Sequence, residues 1–151
     1  MSYTLGMNAK LYYKVGGVAA SGAWVELTNC TDVTLNMTKA EADVTTRGNA
    51  GWRATVGTLK DASIDFEMIW DNTDAGFSAI QTAFLNNTVI GIAALDGAGV
   101  LSSSTATGLI MDTNVFDFTR AEPLEDALKA TVNIKSAYSA TAPEWTTTGL
   151  N

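Results

Sequence analysis

The 151-residue sequence predicts a mainly β protein with one short α-helix and long loops. Three observations predict it. Apolar and polar residues alternate over most of the chain, which is the period of half-buried strands. A single stretch, Asp74 to Asn87, switches to helical spacing. Hydrophobic residues make up 46% and charged residues 17%, against a usual charged share of about 25%. That balance buries a core instead of leaving the chain disordered.

The alternation starts at Lys10, where Leu11, Tyr13 and Val15 face away from Lys10, Tyr12 and Lys14 until Gly16-Gly17 ends the run. Val25 and Leu27 alternate with Trp24 and Glu26. Val33, Leu35 and Met37 point one way, with Asp32, Thr34, Asn36 and Thr38 the other. Ile64, Phe66, Met68 and Trp70 oppose Ser63, Asp65, Glu67 and Ile69. Val33, Leu35, Met37, Ile64, Phe66 and Met68 are therefore expected in the core. Val89 to Leu95 is almost wholly apolar, as suits a strand covered on both faces. Gly108 to Thr119 supplies one more strand or two, with a bend expected near Asp112-Thr113-Asn114. Leu128, Ala130, Val132 and Ile134 alternate with Lys129, Thr131, Asn133 and Lys135. In the helical stretch Phe77, Ile80 and Phe84 recur with Ala83 beside them. Thr73 or Asp74 can cap its first turn, and Asn86-Asn87 can end it, because Asn tolerates a left-handed backbone.

Three segments read as loops: Ala40–Gly57, Asp96–Thr107 and the polar tail Tyr138–Asn151 with its isolated Trp145. Long loops in a compact domain are commonly functional. Three of them suggest that something outside the chain orders them. No linker or repeat divides the chain, so one domain spanning 1–151 is expected, with a core at about 8–136 and a polar C-terminal arm at 137–151.

Composition narrows the chemistry. Nine Lys and Arg against sixteen Asp and Glu give a net charge of −7, which disfavours gripping nucleic acid through its phosphates. The absence of His removes Ser-His-Asp and Cys-His machinery and His-ligated zinc. A single cysteine, Cys30, permits no intrachain disulfide; without a basic neighbour it reads as a structural thiol. No signal peptide or spanning segment is visible, so no membrane is expected. Asp65 and Glu67 emerge on one face of a strand, with backbones about 6.5–7 Å apart. Such a pair can serve as acid and base in a glycosidase, although only the spacing supports that, and a solvated polar face is the plainer account. Asp71-Asn72-Thr73-Asp74 offers oxygens but lacks the calcium-loop pattern at Ala75; helix capping explains it. Gly97-Ala98-Gly99 lacks the third glycine of a dinucleotide fingerprint. No catalytic, cofactor-binding or metal-ligating residue is assigned.

Several motifs in order carry a resemblance. Arg47-Gly48-Asn49-Ala50-Gly51-Trp52-Arg53 is followed by Leu59-Lys60-Asp61-Ala62-Ser63-Ile64-Asp65-Phe66, then by the short helix. Phe116-Asp117-Phe118-Thr119 and Glu122-Pro123-Leu124-Glu125-Asp126-Ala127 then run into a final strand from Lys129. In this order the sequence, over about residues 8 to 136, resembles the major tail proteins of tailed bacteriophages, the tail tube proteins. The resemblance implies a β-sandwich or barrel-like fold with a flanking helix, and a structural virion protein made in the host bacterial cytoplasm. It implies hexameric rings stacked into a hollow tube that passes DNA without specific binding. The partners implied are further copies of the chain, a tape measure protein, a tail terminator and baseplate or tip proteins.

Residue patterning adds its own expectations. Exposed strand edges invite further pairing, and closing a ring removes them. Asp65, Glu67, Thr34 and Asn36 are expected to face the channel. Lys129 and Lys135 alternate with core residues on the last strand and have no assigned side. Arg47, Trp52 and Arg53 are expected to contact a neighbouring subunit, and Trp145 to anchor the C-terminal arm. Two other readings stay open. One is the inner tube of a contractile tail or secretion-type injection system. The other is a β-sandwich carbohydrate-binding module or hydrolase using Trp24, Trp52 or Asp65 with Glu67.

Overall fold

The computed structural model describes residues 3–100 and 104–150. It is mainly β. The strands are β1 (Lys10–Val15), β2 (Val25–Glu26), β3 (Cys30–Asp43), β4 (Thr55–Ile69), β5 (Ile90–Leu95), β6 (Gly108–Ala121), β7 (Lys129–Ser136) and β8 (Glu144–Thr146). One helix, α1 (Ala75–Asn86), lies between β4 and β5. All pairings are antiparallel, in the order β2-β1-β5-β6-β7-β4-β3, with β8 also on β6. β6 joins the two halves. Gly108–Thr113 pairs with β5, while Thr113–Ala121 pairs with β7 across a bulge between Val115 and Asp117. The bend expected near Asp112–Asn114 is thus a bulge slightly later in one continuous strand. β2 and β3 are the two outer strands of the order, yet only Leu27 to Asn29 separates them in sequence. The sheet therefore curls until its borders approach each other.

The period-two pattern places the main core on one face. Ile64, Phe66 and Met68 of β4, Ala130, Val132 and Ile134 of β7, and Ile92 and Met111 are all but inaccessible to solvent. α1 closes this layer with Phe77 and Ile80. Fully burying such side chains stabilises by about 1.5–3 kcal/mol each. Phe77 also meets Trp70 edge-on, with centroids 4.8 Å apart. The helix begins where the Asp74 carboxylate accepts the Phe77 backbone N–H at 2.9 Å, and it ends at Asn87, whose φ of 54° is left-handed. A second, smaller cluster of Tyr12, Ala93, Leu95 and Ala106 covers the other side of β1 and β5. β5 is therefore buried on both faces, as its unbroken apolar run requires.

Three expectations need correction. Val33 and Met37 were placed in the core but are 41% and 52% exposed, with only Leu35 packing inward. Period two reports which residues share a face, not how far the opposite layer reaches. β3 is an outer strand that runs past the end of that layer. The segment Ala40–Gly57 is not all loop: β3 continues to Asp43 and β4 starts at Thr55. Polar, Thr-rich strands of a projecting hairpin carry no apolar alternation to reveal them. Finally, residues 137–150, which read as a loop, are tied to the body of the fold. The Ala137 N–H donates to the Asp112 carbonyl, β8 pairs Trp145 with Leu109, and the N–H groups of Gly149 and Leu150 donate to the carbonyls of Ala106 and Gly99. The loop from Asp96 to Thr107 is tied at its base, where the Thr107 N–H donates to the Asp96 carboxylate at 2.8 Å.

Candidate functional site

The four residues expected to line a channel share one face. The register aligns Thr34, Asp65, Asn133 and Asp117 across β3, β4, β7 and β6. The next row holds Asn36, Ser63, Lys135 and Asn114, and the row on the other side Glu67, Thr131 and Thr119. Lys129 lies one row beyond, opposite Ile69 and Ala121. The two lysines that the sequence could not place are thus on this same face, flanking the acids. Asp65 is clamped from both sides. The Asn36 side-chain amide donates to Oδ2 at 3.0 Å, and the Asn133 amide donates to Oδ1. Amides on both oxygens orient the carboxylate and do nothing to activate it as a base. Lys129 Nζ sits 3.2 Å from Asp126 Oδ2. The Ala127 N–H and then Lys129 hold the Asp126 carboxyl below its ordinary range.

Both borders of this four-stranded section are open among the described residues. β3 pairs only with β4, and beyond Thr113 the edge of β6 away from β7 has no partner strand. Each border presents a row of unpaired backbone donors and acceptors.

The hairpin of β3 and β4 projects past the core and turns through a short 3-10 segment, Arg47–Asn49. Ala50 at φ 52° and Gly51 at φ 86° reverse the chain there. The Asn49 carboxamide accepts from the N–H and hydroxyl of Thr46, at 2.8 and 3.0 Å, and fixes the turn. Arg47, Trp52 and Arg53 are brought together around one shallow concavity at this tip. Trp52 is 78% exposed, and Arg53 reaches Asp43 at 3.8 Å. The Thr45 hydroxyl and then its N–H hold the Asp43 carboxyl below its ordinary range. Trp145 lies about half exposed on β8, paired with Leu109 of β6.

Sequence reasoning missed Asp112. It is 5% exposed, accepts the Val18 N–H at 2.6 Å and accepts from the Ser139 hydroxyl. It pins two loops to the sheet. A lone acid in the apolar run Leu109-Ile110-Met111 was the available signal. Among the described residues, no group of three or more His, Cys, Asp or Glu side chains is gathered to hold a metal.

Comparison with known proteins fits this geometry. No curated protein matches the sequence. Among solved structures, the tail of an empty gene transfer agent particle, refined with helical C6 symmetry, has a similar chain: TM-score 0.72 at 16% identity, covering 95% of this chain and 99% of that one. The SPP1 tail tube gives a TM-score of 0.68 at 15% identity, covering 88% of this chain and 75% of that one. The six-fold symmetrised baseplate of the anti-feeding prophage gives 0.63 at 8% identity, covering 97% of both. At these identities the likeness establishes the fold. The family model described as phage tail tube protein matches residues 9–141, nearly the whole length, and the chain belongs to that family.

Proposed function

We propose that this protein polymerises as stacked hexameric rings into the hollow tail tube of a phage, through which DNA passes. One observation carries the reading: the polar-faced section β3-β4-β7-β6 is open at both borders. Four antiparallel strands are an even number, so a copy rotated about a common axis brings its β3 alongside β6 with the alternation unbroken. Six copies then close a 24-strand barrel. At about 4.8 Å between strands tilted by roughly 40°, opposite backbones lie about 45–50 Å apart, wide enough for a duplex. The C6 symmetry of the gene transfer agent tail supports six as the copy number.

The charge suits a conduit. Six copies of −7 amount to roughly −40 per ring. With Asp65, Glu67, Thr34 and Asn36 facing the bore, an acidic, polar wall repels phosphates and does not retain them. Lys129 and Lys135 sit in flanking rows and temper that field locally. The hairpin tip with Arg47, Trp52 and Arg53 reaches a neighbouring subunit, with Trp52 as the apolar anchor. A tape measure protein, a tail terminator and baseplate or tip proteins complete the assembly in the virion.

Light scattering and negative-stain microscopy of the purified protein, over a range of concentrations, test this. Rings or tubes with six-fold symmetry are expected. A strict monomer at every concentration, with affinity for a sugar, would overturn the reading in favour of a binding module.

A further inference from the structure

Two local features have no use within a single chain. At the root of the hairpin, Lys39 lies directly opposite Lys60 in the β3–β4 register. Like charges so placed repel, and neither lysine has an ion-pair partner among the described residues. Beside them a groove of about 420 Å³ is lined by Met37, Leu109, Pro143 and Trp145, with Asp61 as its one acid against the two lysines. The second feature is the β6–β7 turn. Leu124 there is 100% exposed. Glu122 and Asp126 are held by Arg120 at 3.0 Å and Lys129 at 3.2 Å, while Glu125 has no ion-pair partner among the described residues.

These features are far apart along β4: the turn meets its end, and the groove lies part-way along it, at the root of the projecting hairpin. The turn leaves β7 at Lys129, opposite Ile69 of β4, and the Trp70 N–H donates to the Leu128 carbonyl. Lys60 lies nine residues back along β4, about 30 Å away at roughly 3.4 Å per residue. An acidic knob with an apolar tip and a basic apolar groove cannot meet within one chain. They can meet between two copies arranged head to tail, which is a heterologous and open-ended contact.

We infer that the Glu122–Ala127 turn of one copy seats in the Lys39–Lys60 groove of the next copy along the tube axis, with Leu124 in the groove and Glu125 on the lysine pair. The inference rests on the tail tube reading and names the contact that stacks one ring on another. Barrel strands run obliquely along the barrel axis, so the groove and the turn, spaced along β4, are displaced from each other along the tube. The open edges close each ring; this contact joins rings.

The test uses three full-length variants: Lys39→Glu with Lys60→Glu; Leu124→Lys with Glu125→Lys; and a fourfold reversal combining Lys39→Glu, Lys60→Glu, Leu124→Lys and Glu125→Lys. All four altered positions are exposed, and circular dichroism confirms folding. The first two variants are expected to form rings yet raise the protein concentration needed for tubes by about tenfold or more, since juxtaposed like charges act against the wrong pairing. The combined reversal restores tubes through swapped charges. Wild-type-like tubes from either of the first two variants would overturn the inference, as would rings from the combined variant that fail to stack. Failure of the unaltered protein to form rings is a different result, and sinks the tail tube reading itself.

Discussion

Replacing Asp112 by Ala is the sharpest test of how the loops are held. The carboxylate is nearly inaccessible and accepts two hydrogen bonds, from the Val18 N–H and the Ser139 hydroxyl. Bonds to a charged acceptor contribute about 1.5–3 kcal/mol each. Ser139 is only half-buried, so its share falls at or below the lower bound, and the expected loss is about 3 kcal/mol. For a domain of this length each kcal/mol moves Tm by roughly 2–4 °C, so a drop of roughly 6–12 °C is expected. Asp112→Asn separates charge from geometry. Its carbonyl oxygen can still accept from Val18 while its amide donates to the Ser139 hydroxyl, and the loss falls to about 1 kcal/mol. Thermal unfolding followed by circular dichroism, on dilute unassembled protein, reads both. Hydrogen exchange at the Val18 amide should quicken in the Ala variant before global unfolding. An Ala variant within 2 °C of the unaltered protein, or an Asn variant as damaged as the Ala one, would refute the account.

Four further outcomes are expected. Deleting Asn49–Arg53 leaves a folded monomer that no longer polymerises, read by light scattering beside circular dichroism; normal tubes from the deletion would end the role given to the hairpin. Replacing Asp65 and Glu67 with Lys leaves assembly intact but slows DNA release from reconstituted virions at low salt, with recovery as salt screens the wall; release at an unchanged rate would show that these carboxylates do not face the bore. Asp74→Ala removes the bond to the Phe77 N–H and lowers stability by about 1 kcal/mol in urea titration, whereas no shift in midpoint would mean that the cap is idle. Burial pushes the Cys30 thiol above its ordinary range, so its labelling by a maleimide at pH 8 is expected to run about tenfold slower or more in the native protein than in urea. Equal rates would show that the thiol is open.

The sequence made the local rules legible and left the global ones out of reach. The helix bounds were readable because Phe77, Ile80 and Ala83 share one face and Asp74 and Asn87 carry the chemistry of a start and a stop. β4 and β7 were readable because their burial alternates residue by residue. The hairpin was half hidden. Its strands stand clear of the core, and without burial on one face no alternation marks them. The polar tail read as a loop for a related reason: backbone hydrogen bonds and the buried Thr146 and Gly149 hold it, and neither leaves an apolar pattern. Of the candidate site, that Asp65, Glu67, Thr34 and Asn36 share one face was legible, since side-chain parity along a strand follows from the sequence alone. The company of Lys129, Lys135 and Asn133 depends on which strand lies beside which, and no spacing encodes that.

The continuity of β6 has a mechanical consequence. One unbroken strand belongs at its start to the part of the sheet covered on both faces and at its end to the polar wall. In a tube made of such subunits, the outer shell and the inner bore hang on the same covalent thread and not on a flexible joint. When a tail flexes or takes a load, lining and casing must shift as one body. The give has to come from the seams between subunits, and the bore keeps its calibre while the shaft bends.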